Sequence, residues 1–113
     1  MQVAYVAGPY RANSEYELVK NIRRAEAVAV ELWRMGYAVI CPHKNTAHFG
    51  GVCYDNVFLN GDLEILSRCD LVVLVEGWES SQGAKDEIIH AELINIPVFK
   101  WPEDEIKLRR HDF

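Results

Sequence analysis

Apolar residues follow two spacings along this chain, and the switches between them mark its elements. "QVAYVAG", residues 2–8, is a β-branched and aromatic run closed by Gly8-Pro9, which predicts a first strand. From Asn13 to Gly36 the spacing changes: Leu18, Ile22, Ala25, Ala29 and Leu32 recur four, three, four and three residues apart. That is one stripe of a helix. Ser14 followed by Glu17 fits a capping box at its start, and Gly36 fits a left-handed stop at its end. "YAVICP", 37–42, predicts a second strand ended by Pro42. From His43 to Cys53 there is no period and there are two glycines, which predicts a mobile loop.

"DNVFLNGDLEILSRC", 55–69, predicts a shorter helix with Gly61 as its weak point. "DLVVLVEG", 70–77, is a continuous apolar run of the kind buried on both faces of a parallel sheet. "SSQGAKDEIIHAELIN", 80–95, is again helical, and "IPVFKW", 96–101, predicts the last strand. The charged tail from Pro102 to Phe113 is expected to be loosely held. Strand and helix alternate, so successive βαβ units build an α/β three-layer sandwich around a parallel sheet of about four or five strands. The length suits one domain spanning residues 1–113. In such folds ligands sit beyond the carboxyl ends of the strands. The loops "GPYRAN", "CPHKNTAHFGG" and "GWESSQG" would meet there.

Half of the residues are hydrophobic, enough for a real core, and the net charge is −5 with both signs interspersed. A nucleic-acid polymer is not expected as partner, since such binders carry a basic face. Small phosphorylated ligands stay open, because one placed arginine suffices for them. No apolar stretch reaches the length of a membrane span, and no signal peptide is visible. Cys41, Cys53 and Cys69 form an odd set without framework spacing, which reads as reduced thiols in a cytoplasmic protein.

Several residues on the loop edge can carry chemistry. In "AGPYR", backbone N–H groups after the first strand can hold an anion, and Arg11 can fork onto a phosphate or carboxylate. Equally, Gly8 and Pro9 punctuate a turn and Arg11 is solvated. Ser80 or Ser81 is a natural N-cap of the helix that follows, and a serine there can also donate to a bound oxygen. Glu87, six residues after Ser81, can lean back toward the helix start and attack an electrophilic carbon. The plain alternative is a surface glutamate beside Lys85. Asp62 can protonate a leaving ring nitrogen or be structural, whereas Asp70 reads as structural. Cys41, His43, His48 and Cys53 match no common structural zinc spacing, so no metal is expected, and His90 reads as packed or exposed.

Taken together, "YVAGPYR", "GDLEILSRCDLVVLVEGW" and "SSQGAKDEIIHA" resemble the nucleoside 2-deoxyribosyltransferase superfamily, in its small DUF4406-type branch. The likeness runs from the first strand to "IPV". It implies a Rossmann-like or flavodoxin-like fold that assembles as a homodimer or larger homo-oligomer. It implies an N-glycosidase or deoxyribosyltransferase acting on a small-molecule nucleoside or nucleoside 5′-monophosphate, with no cofactor. Glu87 matches the family's nucleophile, Asp62 the aspartate that handles the base, and Tyr5 a tyrosine that touches the glutamate. Gly8, Pro9, Tyr10 and Arg11 fall in the family's phosphate or sugar loop, and Ser81 and Gly83 at the glutamate helix start. Arg11 and Ser81 match the hydrolases of the superfamily rather than the transferases. The hydrolases' glycine-rich continuation is replaced here by "ANSEYE", and no residue of "KWPEDEIKLRRHDF" matches the transferases' C-terminal asparagine. A nucleotide-binding module without turnover is the competing reading, because relatives of this fold include sensors.

Overall fold

The computed structural model describes residues 1–113. Its elements are β1 (Val3–Ala7), α1 (Glu15–Arg34), β2 (Ala38–Ile40), α2 (Pro42–Asn45), α3 (Asp55–Leu66), β3 (Leu71–Leu74), α4 (Gln82–Leu93), β4 (Val98–Lys100) and α5 (Glu105–Arg110), with a 3-10 turn at Trp78–Ser80. All four strands are parallel, in the order β2-β1-β3-β4. The α/β sandwich expected from the alternation is the observed architecture. After β2 the chain returns across the sheet to place β3 on the other side of β1. The two directions of winding therefore diverge between β1 and β3, where a crevice opens at the strand ends.

Strand alternation sorts the core into two layers. Ala4 and Val6 of β1, with Leu71 and Val73, face Ala25, Val28, Ala29 and Leu32 of α1. Tyr5 and Ala7, with Val72 and Leu74, face Leu66 from α3 and Ala91 from α4. Leu71, Val72, Val73 and Leu74 are all at most 1% exposed, which is what an unbroken apolar run on a central strand implies. The first helix starts where the sequence places it: the Ser14 hydroxyl accepts from the Glu17 N–H at 3.1 Å. The reciprocal half of the box is replaced, since the Glu17 carboxylate lies 3.9 Å from Lys20. Gly36 ends the helix turn with φ +95°, a conformation in which a Cβ would be strained. Asp70 is structural, accepting from the Val3 N–H at 2.7 Å and so tying the start of β1 to β3.

Two expectations need correction. The segment after β2 does not begin as an irregular loop: Pro42 opens the short helix α2, where its missing N–H costs nothing and its fixed φ suits the first turn. The tail is not loosely held either. It forms α5, whose Leu108 is fully buried against the α1 side of the sheet. The Tyr37 hydroxyl donates to the Leu108 carbonyl at 2.6 Å, and the His111 ring stacks on Tyr37 at 4.4 Å between centroids. The apolar residues of the tail are few and widely spaced among charges, which hides this docking in the sequence.

Candidate active site

Two helix stripes and one strand residue build the site. On α3, Asp55, Phe58, Leu59, Asp62 and Leu63 recur at helical spacing and line one wall of a cavity. On α4, Gln82, Gly83, Asp86 and Glu87, each pair four residues apart, line the opposite wall. Pro9, Tyr10 and Arg11 after β1, and Pro42, His43, Thr46 and Phe49 after β2, close the remaining sides. The cavity measures about 580 Å³, within the usual range for a small-molecule site. It combines an aromatic and aliphatic surface at Phe49, Phe58, Leu59 and Leu63 with four carboxylates.

Glu87 sits in the second turn of α4, and Tyr5 donates its hydroxyl to Glu87 Oε2. Tyr5 is fully buried on the α3–α4 side of the sheet, so it reaches the cavity only through Glu87. Burial, then the Glu87 charge, push the Tyr5 phenol well above its ordinary range, so it remains a donor. Burial pushes the Glu87 carboxyl up to about 7; the Tyr5 hydrogen bond pulls against that, and the charge of Asp62 adds to it. Asp62, from the middle of α3, is raised by burial as well. Two carboxyls of elevated affinity for protons thus share one crevice, and perturbed groups of this kind gather at functional sites.

Of the residues singled out from the sequence, Pro9, Tyr10, Arg11, Asp62, Ser81, Gly83 and Glu87 all line the cavity. Gly8 does not. A Cβ there would stand 2.7 Å from the Val75 Cβ, so the glycine lets the end of β1 pass against β3. Gly83 is under no such constraint, because a Cβ would meet only Ser81 Oγ at 3.9 Å. Ser81 is the N-cap, accepting from the Ala84 N–H at 3.2 Å, and its hydroxyl proton remains free for a ligand. Arg11 is held at 2.7 Å by Asp55, both side chains about 70% exposed at the mouth.

His43 has a structural role that its neighbours in the sequence do not announce. It is 6% exposed, and burial pushes its ring below the ordinary histidine range, so it is neutral. Its Nε2 lies 2.8 Å from the Pro9 carbonyl, and its ring meets Tyr10 edge-on at 5.5 Å. The neutral ring donates from Nε2, so α2 pins the turn after β1. No three His, Cys, Asp or Glu side chains gather as a metal-binding group. His90 faces away from the cavity and pairs with Ser67 Oγ at 2.8 Å. Asp55, Asp86, Phe49 and Phe58 also escape the sequence reading; the stripe 55–59–62 was the signal that could have found the first of them.

A Rossmann-like α/β fold with a carboxylate-lined crevice beside its strand ends is therefore the class to which this molecule belongs. The chain is a member of the family described as a domain of unknown function, DUF4406, whose model matches residues 1–100. Among solved structures it is similar to the 2-deoxyribosyltransferase of the psychrotolerant bacterium Bacillus psychrosaccharolyticus, described as a biocatalyst for the synthesis of nucleosides. The TM-score is 0.63 and the identity 22%, covering 87% of this chain and 70% of that one, so the fold is shared. A search of curated proteins finds no match. No helix is long and apolar enough to cross a membrane.

Proposed function

We propose that this chain cleaves or exchanges the N-glycosidic bond of a nucleoside or nucleoside 5′-monophosphate, with Glu87 as nucleophile. The observation that carries this reading is the bond from a fully buried Tyr5 to Glu87, which aims one carboxylate oxygen while Asp62 opposes it across the cavity. The likeness to a deoxyribosyltransferase fold supports it.

In the first step a Glu87 oxygen attacks C1′. The C1′–N bond breaks, its electron pair stays on the base nitrogen, and the proton of Asp62 passes to the base. The product is a glycosyl ester of Glu87. Water or a second base then attacks C1′, the ester C–O electrons return to Glu87, and the proton lost by the acceptor restores Asp62. Tyr5 lies behind Glu87, outside the cavity wall; it is a positioning residue that holds Glu87 and favours its ionised form. Phe49 and Phe58 offer flat apolar surface to the base, and Tyr10 and Ser81 offer polar contact to the sugar. Exposed Ile89, Leu93 and Ile94 along α4 support self-association of the chain.

The reading is tested by incubating the protein with a panel of nucleosides and 5′-monophosphates, with and without a free acceptor base. Base release, or base exchange, detected by chromatography is the expected result; inertness across the whole panel would leave only a binding function.

The protonation pattern gives a pH dependence. Glu87 must be ionised to attack, so kcat/KM is expected to climb about tenfold per pH unit below 7 and to level near it. Tyr5→Phe removes the hydrogen bond that lowers the Glu87 carboxyl, so the ascending limb should move to higher pH. Asp62→Asn removes an opposing charge and should move it lower. A pH–rate profile of the three proteins decides; a limb that ignores both substitutions would detach Glu87 from the rate.

A further inference from the structure

Arg11 is the one lysine or arginine on the cavity wall, whereas Asp55, Asp62, Asp86 and Glu87 bring four carboxyls to it. That one cation is already matched: Arg11 reaches across the mouth, from the turn after β1 to the start of α3, and meets Asp55 at 2.7 Å. The pair is exposed, and such pairs are weak and readily exchanged. Asp55 therefore does not lock Arg11 in place. Its effect is on the charge a ligand meets. A phosphate dianion that reaches the guanidinium arrives beside the Asp55 carboxylate, with the other carboxyls of the wall deeper in. An uncharged sugar hydroxyl at the same point meets no such repulsion and can accept from Arg11 while Asp55 stays.

We propose that Asp55 is the specificity-determining residue at the mouth: by engaging Arg11 it turns the site toward the uncharged nucleoside and against the 5′-monophosphate. This rests on reading the cavity as a nucleoside site. The Tyr54 side chain makes no cap bond at the start of α3, and Asp55 in the first turn also suits the helix dipole. Asp55→Asn keeps the shape and a polar side chain while removing the charge, so the comparison isolates the charge.

The experiment compares wild type, Asp55→Asn, Arg11→Ala and the double variant by calorimetry at low salt. The ligands are deoxyadenosine, its 5′-monophosphate and inorganic phosphate. Phosphate tests the mouth with neither sugar nor base, so it separates the selector from the reading of the cavity. Wild type is expected to prefer the nucleoside. Asp55→Asn should tighten the monophosphate and phosphate about tenfold, with the nucleoside changed less than about twofold. In the Arg11→Ala background the same substitution should give no such gain. The selector is overturned by a wild type that prefers the monophosphate, by unchanged anion binding in Asp55→Asn, or by a gain that survives without Arg11. Phosphate responding as expected while neither nucleoside ligand binds would uphold the selector and overturn the nucleoside site.

Discussion

Replacing Glu87 with alanine is expected to lower base release by about a thousandfold or more while the chain stays folded. A covalent nucleophile is made or lost as a unit, so its removal costs orders of magnitude, far beyond the effect of one surface charge. Glu87→Gln separates the two roles of the residue, since the amide oxygen can still accept from Tyr5 but cannot attack. That variant should be as inactive as the alanine one, yet more stable than wild type in mild alkali. The folded carboxyl is raised from 4.5 to about 7, so the stability it contributes is complete below the first value and is lost as pH rises through the second. Allowing for its partial solvent contact, the ionised carboxylate costs roughly 2 kcal/mol at pH 8. Urea unfolding of wild type and Glu87→Gln should therefore differ at pH 8 and converge near pH 5. Near-normal turnover by either folded variant would remove Glu87 from the chemistry.

Leu108→Ala is expected to destabilise the fold by about 2–5 kcal/mol, the usual cost of emptying a well-packed leucine site. The side chain has no exposed surface and packs in the core with Tyr37 and Phe99. The domain's whole stability is of order 5–15 kcal/mol, so such a loss is a large part of it. Denaturant midpoints measure it directly. A change below about 1 kcal/mol would show that α5 packs too loosely to matter, as its charged sequence first implies. The substitution lies on the sheet face opposite Glu87, so activity of the folded fraction should change little.

Legibility in the sequence followed how local the cause was. β1, α1 and β3 could be read because their periods are long or unbroken and their caps, Ser14 and Gly36, act within a few residues. The Ser81 cap and the position of Glu87 in the second turn after it were readable for the same reason. The inward aim of Glu87 came from its likeness to a family rather than from spacing, because Lys85 offered it an equally local partner. Asp55 and Arg11 are 44 residues apart in the chain, and nothing near either one announces the other. His43 likewise depends on a carbonyl 34 residues away, which no residue near it announces. Leu108 needed the Tyr37 hydroxyl, 71 residues distant, to give its helix a reason to dock.

The alternation of β1 sets what length changes the chain can tolerate. Tyr5 faces Glu87 while Ala4 and Val6 face α1, and β1 is hydrogen-bonded on both edges, pairing Tyr5 with Ile40 on one side and Val72 on the other. Loss or gain of a single residue inside β1 would turn the side chains on one side of the change to the opposite layer, so Tyr5 and the residues that follow it could not all keep their faces. The turn after β2 and the stretch before α3 carry no such parity and can lengthen without reversing any side chain. Among descendants of this sequence, insertions should therefore accumulate around the mouth of the crevice, where they reshape the ligand. The central strand should keep its count unchanged.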